Sequence, residues 1–281
     1  MQSLTDHVYI ENQYAGVTLG AIVLPNGLIH IDAPLLTEDS RLWRAALLGR
    51  GAGPERLLIL LDAHPDRALG TRAMESTLIA HEKATQTLRG RPPTYKAQNL
   101  ETGAEWETLS LPGSTRWLPP EISFSQQMAI EWNNSTILLE HHPGPHPAAI
   151  WVILPQEKIV FVGDAVMKNQ PPFLAQADLP AWFSDLELLR SPAYRDYIIV
   201  GGRDGTIGAT ALQNFVDYLQ QIYDRLEKLA SKGAPAEKTE DLIPSLLEPL
   251  RFAAARQEQY TQRLRYGLYQ YYNRNYANSQ K

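Results

Sequence analysis

Four polar clusters, spaced along the chain beside short apolar runs, constrain the fold more than any other feature. The run Leu57 to Leu61 ends abruptly in Asp62-Ala63-His64-Pro65-Asp66-Arg67-Ala68-Leu69-Gly70. Gly144-Pro145-His146 precedes the apolar run Ile150 to Leu154, Ile159 to Val162 leads into Gly163-Asp164, and Tyr197 to Val200 leads into Gly201-Gly202-Arg203-Asp204-Gly205. Apolar runs this short, bounded by turn residues, read as buried strands rather than helices. A chain that repeatedly delivers a polar loop from the end of a buried strand gathers those loops at one rim of a sheet.

The rest of the chain fits between these points. Val17 to Leu24 and Leu28 to Asp32 flank Pro25-Asn26-Gly27, a hairpin signal. Thr37 followed by Glu38 and Asp39 reads as an N-cap with an acidic first turn, opening a helix through about Leu48. Thr77 to Ala80 is a further buried strand, and residues 89–120 form an irregular excursion that could lie over the loops. Strands follow at Ile122 to Met128, Ile130 to Trp132 and Thr136 to Glu140, with helices at Ala181 to Leu189 and Ala209 to Leu229. Two successive strand-rich blocks, each closed by helices, predict two sheets packed face to face with helices outside. Lys232 to Lys238 reads as a linker, so residues 1–230 form one domain and 231–281 a helical extension, with helices at Leu242 to Leu250 and Phe252 to Tyr276.

Composition narrows the chemistry. With 26 Lys and Arg against 31 Asp and Glu, the chain carries a net charge of −5 and shows no basic stripe in its main domain, which argues against nucleic acid. No apolar run is long enough to span a bilayer, and the amino-terminal residues lack the pattern of a signal peptide, so a soluble cytoplasmic protein is expected. There is no cysteine, so any metal must be held by imidazole and carboxylate, a donor set that suits Zn, Fe or Mn.

In order and in spacing the four clusters resemble the motifs of the metallo-β-lactamase superfamily: His-x-His-x-Asp-His after a strand, a later histidine, Gly-Asp after a strand, and Gly-His-Gly after another. Gly27 to Asp32 and Ile79 to Glu82 resemble supporting elements of the same family. The resemblance covers roughly residues 8–215. It implies a layered α/β fold, the αββα sandwich, here with a C-terminal helical extension. It implies hydrolysis of an ester, thioester, amide or phosphoester by metal-bound hydroxide. Carried over position by position, Asp62, His64 and His146 would hold one metal and Asp164 would bridge to a second, whose remaining ligands would be Asp66 and two imidazoles.

Three positions depart from that pattern. Asp62 stands for the first histidine, Arg67 for the histidine after Asp66, and Arg203 for the last, and no histidine follows His146. Arginine stays protonated and has no lone pair to donate, so the second metal is not expected. One divalent ion (Zn, Fe or Mn) at Asp62, His64, His146 and Asp164 would leave Asp66 to orient or deprotonate water, and Arg67 or Arg203 to hold an anionic group of a small-molecule substrate. Two alternatives stand beside this: a metal-free pseudoenzyme that keeps the fold as a binding or assembly module, and catalysis by arginine-polarised carboxylates without metal. The three aspartates Asp62, Asp66 and Asp164 exceed Arg67 and Arg203 by one charge, which a metal, a protonated histidine or a neutral carboxyl could balance. His30, His81, His141 and His142 read as structural, and His7 as solvated. The tyrosine-rich end, from Tyr260 to Tyr276, suits packing on its own domain or pairing of two chains into a homodimer.

Overall fold

The computed structural model describes residues 1–92, 100–109 and 116–276. Its strands form two sheets. The first runs in chain order: β1 (Gln2–Ser3), β2 (Val8–Glu11), β3 (Leu19–Leu24), β4 (Gly27–Ile31), β5 (Glu55–Ile59), β6 (Thr77–His81) and β7 (Ile122–Phe124). Strands β1 to β4 are antiparallel, whereas β4 to β7 are parallel, with α1 (Thr37–Leu48) and α3 (Glu82–Gly90) among their connections. The second sheet has the order β13 (Gly205–Ile207), β12 (Ile198–Gly201), β11 (Ile159–Gly163), β10 (Ile150–Leu154), β9 (Ser135–His141) and β8 (Gln127–Trp132). Only β11 and β12 are parallel in it; α4 (Leu179–Arg190) lies in their crossover.

Side-chain alternation builds the layers. In β4, Ile29 and Ile31, with Ile59 beside them in β5, face the second sheet, where they join Val152, Phe161 and Val200, while Leu28 points outward to Trp43 and Leu47 of α1. Strand β11 alternates likewise, with Ile159 and Phe161 inward and Val160 and Val162 outward against α4 and α5 (Ala209–Ala230). Because both faces of each sheet are covered, the central strands are mostly apolar, β10 entirely so, with the buried His30 as the exception in β4. The result is the expected αββα sandwich. No helix among the described residues is long and apolar enough to cross a membrane.

Several local expectations are corrected. The hairpin loop is Pro25-Asn26, with Gly27 already paired to Leu24. Thr37 is the first residue of α1 rather than its cap; Leu36 takes that position without a side-chain bond. The expected helix at Leu242 to Leu250 shrinks to the short α6 (Ile243–Leu247), a 3₁₀ stretch, Ala236–Leu242, precedes it and takes up the end of the expected linker, and the last helix, α7, spans Gln257–Asn275. His7 is not merely solvated: its Nε2 lies 2.8 Å from Glu157. The tail packs on the second sheet's outer face, where Tyr260, Leu264, Leu268, Tyr271 and Tyr272 join the same core as α4 and α5. Of the excursion at 89–120, residues 93–99 and 110–115 lie outside the described residues.

Candidate functional site

The loops after β5, β9, β11 and β12 converge at one rim, where the ends of parallel strands in an α/β sheet commonly make a site. His64 caps a single turn of helix, α2 (Pro65–Ala68), and that turn carries Asp66 and Arg67 inward until both are fully buried. Gly163 (φ +57°) ends β11 and turns Asp164 toward the same point. Gly202 passes so close to Gly163 that its N–H donates to the Gly163 carbonyl at 2.6 Å, and the chain then presents Arg203.

Two guanidinium groups organise what lies there. Arg67 donates Nη1 to Asp32 at 3.0 Å and Nη2 to Asp164 at 2.5 Å, and its Nε lies 3.1 Å from Asp62. Arg203 donates Nε to both oxygens of Asp164 at 3.0 and 3.1 Å and Nη2 to one of them at 3.0 Å. Its Nη1 reaches Asp66 at 2.7 Å and the Gly16 carbonyl at 3.0 Å. Burial opposes charge on Asp164, but Arg203 and Arg67 overcome it and hold the carboxyl far below the usual range. Burial likewise opposes both guanidinium charges; Asp164 leads the carboxylates that nevertheless push their pKa values up. Asp32 is the exception: burial drives its carboxyl up to about 7 despite Arg67. Asp66 is spoken for on every side, accepting the Glu105 and Trp106 N–H groups at 3.3 and 2.8 Å besides Arg203.

In front of this network lies a cavity of about 460 Å³, the size of a small-ligand site. Asp62, His64, His146 and Asp164, the four expected metal ligands, all line it. Asp66, Arg67 and Arg203, expected to handle water and substrate, lie behind the lining. Trp106, Trp117, Met167, Phe173 and Leu174 supply apolar walls, and Arg91 and Arg263 supply cations. Neither arginine stands out in the sequence, because neither lies in a motif. For Arg263 one signal existed: it falls on the buried stripe of α7 with Tyr260, Leu264 and Tyr271. His81 and His141 stack on each other, and His142 stacks on Trp151 and bonds Asp185; none of the three lines the cavity.

The donor set does not fit a metal ion. Asp164 is saturated by guanidinium N–H groups. His64 Nδ1 accepts the Asp66 N–H at 3.2 Å with Arg203 Nη2 3.3 Å away, and His146 Nδ1 accepts the Ala148 N–H at 3.0 Å. Burial lowers the pKa of both rings, which keeps them neutral. A neutral imidazole carries one proton, so with Nδ1 accepting, Nε2 is a donor in each ring. A coordinating imidazole must aim a lone pair at the metal, and in both rings the Nδ1 lone pair is already taken by a backbone N–H. Among the described residues no three His, Asp or Glu side chains are grouped so as to hold a metal.

The family profile described as the metallo-beta-lactamase superfamily matches residues 31–202, more than half of the chain, and the chain belongs to that superfamily. Solved structures agree at the level of fold. A metallo-beta-lactamase family protein from Thermus thermophilus superposes with a TM-score of 0.66 at 16% identity, covering 99% of this chain and 95% of its own. A metallo-beta-lactamase from Pontibacter korlensis gives 0.57 at 16% identity, covering 78% of this chain and 97% of its own. The stereoselective inverting sec-alkylsulfatase Pisa1 from Pseudomonas sp. gives 0.66 at 12% identity over 97% of this chain, which spans only 49% of that enzyme. No curated protein matches the sequence.

Proposed function

We propose that this chain is a metal-independent member of its superfamily, a module that binds a small organic ligand in the cavity while guanidinium groups take the structural place of the missing ions. One observation carries the reading. Asp164, which by family resemblance would bridge two metals, instead accepts hydrogen bonds from Arg67 and Arg203 at 2.5 to 3.1 Å. Two fixed cations beside a carboxylate supply what a dinuclear centre supplies electrostatically, without an exchangeable coordination position.

A second reading, a hydrolase with one divalent ion of Zn, Fe or Mn, draws support from the placement of Asp62, His64, His146 and Asp164 on one cavity wall. Elemental analysis of protein purified without added metal or chelator separates the two. The metal-independent reading expects well under one transition metal per chain, and no calorimetric signal on titration with Zn. One equivalent retained through dialysis, with an esterase activity that chelation abolishes, would establish the second reading instead.

A further inference from the structure

The charges that face the cavity are unequally partnered. Its two carboxylates already have guanidinium neighbours, Asp164 through Arg67 and Arg203 and Asp62 through Arg67. Its two cations are not in contact with a carboxylate: among the described residues no ion pair involves Arg91 or Arg263, and Asp62 reaches Arg91 only at longer range. Arg263 is fully buried, and its guanidinium meets only neutral acceptors, the carbonyls of Gly103 and Pro171 and the side chain of Gln170. Arg91 donates Nη2 to the Ala63 carbonyl at 2.9 Å and lies 4.3 Å above the Trp117 ring. Its Nη1 is buried with no hydrogen-bond partner among the described residues. A buried guanidinium nitrogen without an acceptor is costly, and a ligand oxygen would relieve that cost. Nε2 of His64 and of His146 adds two further donors to the same lining.

We infer that the cavity takes an organic anion, a carboxylate or comparable oxyanion on an apolar body, with Arg91 as the charge partner of its head. This inference rests on the proposed metal-independent binding function. A cationic ligand would find the carboxylates already paired. A neutral one would leave the Arg91 charge without a counter-ion. The apolar body finds Trp106, Trp117, Phe173 and Leu174.

The test uses three probes that share one tail, octanoate, octanol and octylamine, titrated calorimetrically into the full chain with a chelator present. Octanoate binds at least tenfold more tightly than octanol, and octylamine binds most weakly. Arg91→Gln abolishes the preference for octanoate, bringing its affinity down to that of octanol in the same variant, with folding verified by its thermal melt. Should that variant fail to fold, the comparison of probes on the unaltered chain decides alone. Equal affinities for the three probes, no binding of any, or a folded Arg91→Gln protein that keeps its preference would overturn the inference. Binding of octanoate that requires added metal and disappears with chelator would instead overturn the metal-independent reading. The two failures are therefore distinguishable.

Discussion

Arg203 touches Asp164, Asp66 and Gly16 at once, with only 2% of its side chain exposed, so its removal leaves the buried Asp66 with no guanidinium partner and Asp164 with Arg67 alone. Breaking a buried ion pair from one side costs about 3–5 kcal/mol. Arg203→Met should therefore lower the unfolding free energy by that order in urea titrations, and a loss under about 1 kcal/mol would mean the pairing contributes no more than a surface contact. Both Arg67 and Arg203 were legible in the sequence because the motif spacing places them where imidazoles belong. Asp32 was visible only as part of a supporting strand, Arg263 only as a position on the apolar stripe of the last helix, and Arg91 not at all, since no spacing rule announces a contact made by tertiary folding. His30 tests burial without function. It is fully buried in β4, neither ring nitrogen has a partner among the described residues, and burial lowers its pKa to about 3. Between about pH 6.5 and that value the unfolded chain binds a proton that the folded chain refuses, so stability is complete above pH 6.5 and lost as pH falls through this window. His30→Leu should stabilise the protein by about 1–2 kcal/mol at neutral pH and move its acid-unfolding midpoint to lower pH. An unchanged midpoint would show that other groups govern acid unfolding.

The strands were the most legible elements, because double-sided burial writes them as unbroken apolar runs; β10 and β11 lie within a residue of where their sequences place them. The C-terminal helices were less so, because Pro244 and Pro249 interrupt the pattern and a 3₁₀ stretch carries no apolar period of its own. Least legible was the close approach of β11 and β12, although both glycines stand in motifs. A Cβ on Gly202 would lie 2.8 Å from the Gly163 carbonyl carbon and 3.1 Å from Arg67 Nη1. Backbone cannot yield as a flexible side chain does, so Gly202→Ala must separate the two strand ends and disturb the Arg67 pairs behind them. A loss of about 1–3 kcal/mol is expected from such overpacking. Gly90, which closes α3 with nothing within 4 Å of its Cβ position, is the matched control. Gly90→Ala should be neutral or stabilising by up to about 1 kcal/mol through helix propensity. Similar effects at the two positions, read from thermal melts, would refute the close-packing argument.

The superfamily match ends at residue 202, yet the chain's core does not. Helix α7 places Tyr260, Leu264, Leu268, Tyr271 and Tyr272 in the cluster that covers the second sheet, and Tyr272 donates its hydroxyl to the Ala234 carbonyl at 2.7 Å. The same helix reaches the site. Arg263 bonds the Gly103 carbonyl through Nε and Nη2 at 3.0 and 2.8 Å, tying α7 to the segment whose Trp106 walls the cavity. Its guanidinium also stacks 4.0 Å from the Phe173 ring, whose distance from Arg203 is 4.6 Å. The tail packs on its own domain, as its tyrosines suggested, and it is also a wall of the candidate site, which a reading of residues 231–281 as an extension beyond a linker did not anticipate. Each large apolar side chain in that face contributes about 1.5–3 kcal/mol by burial, and the whole domain is expected to be stable by only about 5–15 kcal/mol. Removing residues 251–281 should consequently abolish the native state rather than trim it. The truncated chain is expected to bind a hydrophobic dye and to melt without a cooperative transition, whereas the full chain unfolds in one step by circular dichroism and by tryptophan fluorescence. A truncated protein that stays soluble, melts cooperatively at the parent temperature and still binds octanoate would place both the core and the cavity within the first 250 residues, and α7 would then be the appendage its sequence suggests.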